Sequence, residues 1–246
     1  MPDQPVHVIL GATGGIGSAT ARRLAASGAR LVLAARGEQD LKALADELEA
    51  DAVPLDAADG PAVDALFAGA VERHGRVDGA VNLVGSLLLK PAHRTSDAEW
   101  AETVAQNLTS AFHTVRGATK VMLRTGGSIV LLSSAVARVG MSNHEAIAAA
   151  KAGVIGLTLA AAASYATKGI RVNAVAPGMT DTPMTAKLTA DATSRAVSEK
   201  LHPMGTIGTP EEVASAIAWL LHAEQRIVTG QTLGVDGGLG TVHPRG

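Results

Sequence analysis

Leu10-Gly11-Ala12-Thr13-Gly14-Gly15-Ile16-Gly17 ends one short apolar run and opens an alanine-rich one. Glycines let the backbone turn tightly and come close to a pyrophosphate. A helix that starts there presents free N–H groups and a partial positive charge to the anion. A glycine-rich stretch alone can be a turn with no ligand. Between a first strand and a first helix it has the context of a dinucleotide-binding loop. Gly11, Thr13, Gly14, Gly15, Ile16 and Gly17 are therefore candidate cofactor contacts.

Outward from this loop, apolar runs at 6–10, 30–35, 52–55, 79–83, 128–132 and 171–175 read as strands, continuous because both faces of the sheet are covered. Stretches 16–27, 38–50, 61–74, 97–124 and 143–167 carry apolar residues at helical spacing. The alternation implies an α/β chain. The expected fold is a Rossmann-like doubly wound parallel sheet of about seven strands with helices on both faces and right-handed crossovers. No Pro/Gly/Ser-rich linker divides the 246 residues, so residues 1–246 read as a single domain. Segment 179–203, rich in Thr, Ala and Ser, breaks the pattern after the sixth strand. It reads either as a substrate lid or as an ordinary surface helix pair.

Composition narrows the function. A net charge of −2 gives no basic face for nucleic acid. The absence of cysteine removes disulfides, thiol nucleophiles and cysteine-held metals, and the histidines show no paired metal-ligand spacing. Met1 to Pro5 is short and polar, without the pattern of a signal peptide. The longest apolar stretch, 152–163, is shorter than the ~20 residues of a membrane span and reads as a buried helix. The expectation is a cytoplasmic protein with no membrane and no nucleic-acid partner.

The second strand ends Ala34-Ala35-Arg36-Gly37. An NAD site usually places an acidic residue about 20 positions past the loop, on the ribose hydroxyls. Ala35 stands there instead, and the following Arg36 can grip a 2′-phosphate. NADP(H) is therefore preferred. Glu38 and Asp40 lie nearby, so NAD(H) is not excluded, and Arg36 also reads as a solvated strand-end arginine.

Over almost its whole length the chain resembles the short-chain dehydrogenase/reductase superfamily. Gly11-x-x-x-Gly15-x-Gly17 is similar to its cofactor loop, Asp56-Ala57 to the pair that holds the adenine, and Asn82-Leu83-Val84-Gly85 to its Asn-Asn-Ala-Gly strand end. Asn107 matches the helix asparagine, Ser134 the active-site serine and Lys151 the lysine. Pro177-Gly178 and Thr182 resemble the segment on the nicotinamide side. The resemblance implies reduction or oxidation of a small-molecule carbonyl, alcohol or activated double bond. It also implies a homotetramer or homodimer built on the helices around 100–124 and 143–167.

The resemblance fails at one position. The family tyrosine, thirteen residues after the serine and four before the lysine, is Ile147 by both counts. The chain's single tyrosine, Tyr165, lies beyond the lysine and reads as a packing residue. Isoleucine cannot transfer a proton, and loss of a general acid typically costs 10²–10⁴ in rate. Two readings follow: a reductase with a non-standard active site, or a catalytically silent NAD(P)(H)-binding sensor or partner subunit.

His144 is the candidate substitute. Ser142-Asn143-His144-Glu145 reads as a capping box, with Ser142 as N-cap and Glu145 at N3. That arrangement puts His144 in the first turn, on the helix face of Ile147 and Lys151. A neutral imidazole there can donate a hydrogen bond to a developing oxyanion, assisted by Ser134. Enoyl reductases of the superfamily are similar in carrying their tyrosine seven residues before the lysine, the place of His144. The blander reading is an exposed first-turn histidine.

Overall fold

The computed structural model describes residues 4–243. Met1 to Asp3, the start of the segment read as lacking a signal, lie outside them.

Seven strands form one parallel sheet in the order β3-β2-β1-β4-β5-β6-β7. They are β1 (Val6–Leu10), β2 (Arg30–Ala35), β3 (Asp51–Pro54), β4 (Gly79–Asn82), β5 (Gly127–Leu132), β6 (Ile170–Pro177) and β7 (Thr232–Val235). The expected doubly wound fold is present. β3 sits one residue earlier than read, and β7 is a strand that the apolar runs did not mark, since Thr232 and Gly234 dilute it.

Helices α1 (Gly15–Ala26), α2 (Glu38–Leu48) and α9 (Pro210–Leu221) cover one face, burying Leu24, Leu41 and Ile217 against Ile9 and Leu33. On the other face, α3 (Gly60–His74), α5 (Ser110–Met122) and α6 (Glu145–Tyr165) bury Phe67, Met122 and Val154 against Val8 and Ile129. Both sheet faces are thus dry, which is why the strands read as unbroken apolar runs. The sheet order reverses between β1 and β4, and ligands of such sheets bind outside the strand carboxyl ends at that reversal.

The long helix read over 97–124 is not uniform. It comprises α4 (Asp97–Val104), a π-turn at Ala105–Thr109 and α5. π-turns inside helices recur at functional sites, and this one carries Asn107. Genuine capping boxes start α4 (Ser96 with Glu99) and α9 (Thr209 with Glu212). Segment 179–203 forms two short helices, α7 (Ala186–Thr189) and α8 (Ala192–Leu201).

With its 3-10 extension, α6 runs from Glu145 to Lys168 and is long and apolar enough to cross a membrane by length and composition. Its buried residues, Val154, Ala161 and Ala162, belong to the core, but only 44% of the apolar window is buried, so one face packs on the sheet and the other, with Leu159, is left exposed where a wholly buried helix was expected. Tyr165 packs against the same core.

Candidate active site

The loop after β1 is built by close backbone approach. Gly11 adopts φ 77°, and a Cβ on it would sit 2.8 Å from the Leu83 carbonyl carbon and the Val84 nitrogen. A Cβ on Gly17 would collide with the Gly11 carbonyl oxygen. These two glycines let α1 start directly against the ends of β1 and β4. Gly14 is the N-cap of α1 and brings no side chain to the first-turn N–H groups, which leaves them open to an anion.

A cavity of about 310 Å³ extends from this loop, lined by Gly11, Thr13, Gly14, Ala35, Arg36, Asp56, Ala57 and Gly85. Arg36 makes no ion pair among the described residues. The Asp56 carboxylate accepts the Ala58 N–H at 2.9 Å, which fixes the turn that carries Ala57. The cradle that side chains would fill, the uncapped helix end and the free guanidinium together fit a phosphorylated dinucleotide.

Asn82 does not line this cavity. Its amide donates to Thr114 Oγ1 at 2.8 Å and accepts from Val84 N–H at 3.0 Å, and it is 2% exposed. Read as a cofactor contact, it instead shapes the turn that presents Val84 and Gly85. Its side chain is held inward because Thr114 on α5 offers the matching hydroxyl.

A second cavity of about 540 Å³ adjoins the first and shares Thr13, Gly14 and Gly85 with it. Gly15, Ile16, Gly17, Asn107, Ser134, His144, Ile147, Lys151, Pro177, Gly178 and Thr182 all line it. The fold therefore gathers α1, the π-turn, the end of β5, the start of α6 and the end of β6 around one space. Thr182 lies over the loop, its Cβ and Cγ2 3.0 Å from where a Gly15 Cβ would be. The α7–α8 pair supplies Leu188, Val197 and Leu201 to the wall, so segment 179–203 forms a helix pair that borders the cavity.

Within this cavity the polar groups have defined partners. Asn107 accepts from Ser86 N–H and donates to Ser86 Oγ and the Thr103 carbonyl. Ser133 donates to the Lys151 carbonyl at 2.9 Å and is structural. Among the described residues the Ser134 hydroxyl makes two hydrogen bonds, both at 3.4 Å, to the Pro177 carbonyl and from Val136 N–H, the long limit for such bonds, so it can turn to a ligand oxygen. Lys151 donates to the Leu132 carbonyl at 2.8 Å, and burial pushes its ammonium down to about 8. Ile147 is 4% exposed and forms an apolar wall between His144 and Lys151.

The capping box read at Ser142 is absent. Asn143 adopts φ 63°, which turns the chain out of helical register, and α6 begins at Glu145 with His144 as N-cap. Glu145 reaches the Ala92 N–H at 3.4 Å instead. His144 Nδ1 lies 2.7 Å from the Ser142 carbonyl oxygen.

His202 is a site residue that spacing gave no means to find. It is 3% exposed, donates from Nδ1 to the Ser198 carbonyl and accepts the Met179 N–H at Nε2, 3.1 Å away. It ties α8 to the segment after β6. A Cβ on Gly178 would collide with its ring, which explains that glycine. Leu239, from the segment after β7, also reaches the cavity wall.

A parallel sheet with a glycine loop at its reversal point and a serine and lysine in the adjoining cavity defines a nucleotide-dependent oxidoreductase scaffold. A family model described as enoyl-(acyl carrier protein) reductase matches residues 11–240. The chain is 40% identical to 3β-hydroxysteroid dehydrogenase 1 of Eggerthella lenta, over 96% of this chain and 94% of that one. It is 37% identical to a 3-oxoacyl-(acyl carrier protein) reductase of Thermotoga maritima, over 95% and 97%. An actinorhodin polyketide ketoreductase solved with NADPH superposes with TM-score 0.92 at 35% identity, over 98% of this chain and 99% of that one. The chain belongs to the short-chain dehydrogenase/reductase superfamily of NAD(P)-dependent oxidoreductases.

Proposed function

We propose that this chain is an NADP(H)-dependent oxidoreductase acting on a small-molecule carbonyl/alcohol pair or activated C=C through an active site in which Ile147 replaces the tyrosine. The observation that carries the reading is the convergence of Asn107, Ser134 and Lys151 on one cavity that opens into the glycine loop. When bound, the nicotinamide supplies or accepts the hydride. Gly11, Thr13, Gly14, Gly15, Ile16 and Gly17 would hold its pyrophosphate, Asp56 and Ala57 the adenine, and Arg36 the 2′-phosphate. Lys151 would bind ribose hydroxyls, with Gly85, Pro177, Gly178 and Thr182 around the nicotinamide.

The substrate arm is apolar, and Lys151 is the single Asp, Glu, Lys or Arg among its lining residues, which supports an uncharged, largely hydrocarbon substrate. The named relatives act, by their names, on hydroxysteroids and oxoacyl groups, so cyclic alcohols and ketones head the panel to be tested. The test is absorbance at the nicotinamide band with NADPH or NADP⁺ against cyclohexanol, 1-tetralol, a 3-hydroxysteroid, their ketones and an enone. Turnover of any of these supports the reading.

The second reading is a silent NAD(P)(H)-binding sensor or partner subunit. Ile147 favours it, because the acid position of the cavity is apolar. NADPH binding by fluorescence without turnover of any panel member selects this reading.

The reading includes a cytoplasmic homo-oligomer. Its support is the pair of large apolar side chains left exposed on α5 and α6, Phe112 at 48% and Leu159 at 55%. Light scattering gives the test, and a monomeric mass at micromolar concentration refutes the assembly.

A further inference from the structure

The Ser142 carbonyl can only accept a hydrogen bond, so the 2.7 Å contact requires His144 Nδ1 to carry a proton. In the neutral ring the other nitrogen then has a lone pair and no proton. Among the described residues Nε2 of His144 has no protein partner, while the residue lines the cavity that holds Ser134 and Lys151. The hydrogen-bond donor expected from the sequence is thus, in this geometry, an acceptor.

Every other basic group at the cavity is committed. Lys151 is bound to the Leu132 carbonyl. Both ring nitrogens of His202 are engaged, by Ser198 and Met179. No Asp or Glu lines the space. The Glu145 carboxylate, next along the chain, faces the Ala92 N–H.

The geometry points to His144 as the general base of an alcohol oxidation, its tautomer set by the Ser142 carbonyl across the left-handed turn at Asn143, with Ser134 orienting the substrate oxygen. This deepens the oxidoreductase reading and rests on it. The substrate is a secondary alcohol. Its O–H bond breaks and the proton goes to Nε2 of His144. The C–O bond becomes C=O as the carbinol hydride is given up to NADP⁺. The imidazolium returns its proton to solvent, to which the half-buried ring is open. In the reverse direction the same ring must first be protonated to serve as the acid. The tautomer with the proton on Nδ1 is therefore the one that can accept the alcohol proton at Nε2.

Two measurements test this. In the cofactor-free protein, two-dimensional ¹H–¹⁵N correlation of the histidine rings should show His144 protonated at Nδ1. A ring protonated at Nε2 overturns the assignment without any assay. In turnover with NADP⁺ and the alcohols of the panel, His144→Ala and His144→Gln should each lose on the order of 10²–10⁴ in kcat. Their NADPH affinity by fluorescence should be unchanged, and free imidazole should restore part of the His144→Ala rate. A wild type that turns over while His144→Ala matches it, or a loss that imidazole does not repair, refutes the base and leaves the oxidoreductase reading standing. A wild type that reduces a ketone or the enone but oxidises no alcohol refutes the base and leaves the oxidoreductase reading standing; one that binds NADPH and turns over no member of the panel in either direction overturns both.

Discussion

Lys151 Nζ donates a 2.8 Å hydrogen bond to the carbonyl oxygen of Leu132, at the end of β5. This bond and desolvation act on the same ammonium. Burial lowers its pKa from the usual 10.5 to about 8, and no carboxylate offsets the loss of water. The unfolded chain therefore binds more protons than the folded one between about 8 and 10.5, and this group makes stability rise with pH across that window.

Lys151→Met should accordingly stabilise the cofactor-free protein at pH 7. Relief of the buried charge is worth about 3 kcal/mol, offset by about 1 kcal/mol for the bond lost at Leu132. The Tm should rise by roughly 4–8 °C, and its increase between pH 8 and 10.5 should flatten. NADPH affinity should fall at the same time. A lower Tm with unchanged NADPH affinity would contradict the cofactor-holding role. Calorimetry and fluorescence titration give both numbers.

Ile147→Tyr should place a phenol between Ser134 and Lys151, in the wall both already share. Carbonyl reduction with NADPH should gain on the order of 10²–10⁴ in kcat/KM, the usual worth of a general acid. If the rate does not change, Ser134 and Lys151 are not arranged for chemistry, and the silent reading gains. The test is steady-state kinetics with the ketones of the panel.

Arg36 lines the first cavity and makes no ion pair among the described residues. Arg36→Leu should weaken NADPH binding on the order of 10–100-fold, the worth of a charge-assisted hydrogen bond of roughly 1.5–3 kcal/mol, and leave NADH binding nearly unchanged. Equal loss for both cofactors would remove the 2′-phosphate from its role. Paired titrations decide it.

His7 lies far from this chemistry, in the central strand β1. Burial lowers its pKa from 6.5 to about 4 against the opposing pull of Asp78, and its Nδ1 has no hydrogen-bond partner. The unfolded chain binds more protons than the folded one as pH falls from 6.5 towards 4. Stability should then drop by roughly 3 kcal/mol over that range. His7→Met should flatten the acid side of the profile in denaturant melts. An unaltered profile would assign the acid loss to other groups.

The Gly11–Gly17 loop was legible because its function depends on backbone clearance, which glycine alone provides. Ile147 stands out in the sequence for a related reason: two counts along the chain, from Ser134 and from Lys151, converge on it. Thr182 and Gly178 were matched by position, but their reasons appear only in contact with Gly15 and His202. The start of α6 was misread because Ser142 and Glu145 have the right spacing for a cap, while the left-handed Asn143 denies them the geometry. Asn82 was misassigned because an amide's partners are not visible in its neighbours, and Thr114 is 32 residues away.

The sequence by itself determined the sheet, the glycine loop at its reversal point and the isoleucine at position 147, since these depend on local period, glycine and fixed spacing. Only the tertiary structure decided how the remaining groups are charged and aimed. The depressed Lys151, the doubly hydrogen-bonded His202, the π-turn at Asn107 and the hydrogen on His144 Nδ1 all arise where the chain meets itself or turns back on itself. Desolvation and hydrogen-bond partners there are set by packing, and no spacing rule contains them.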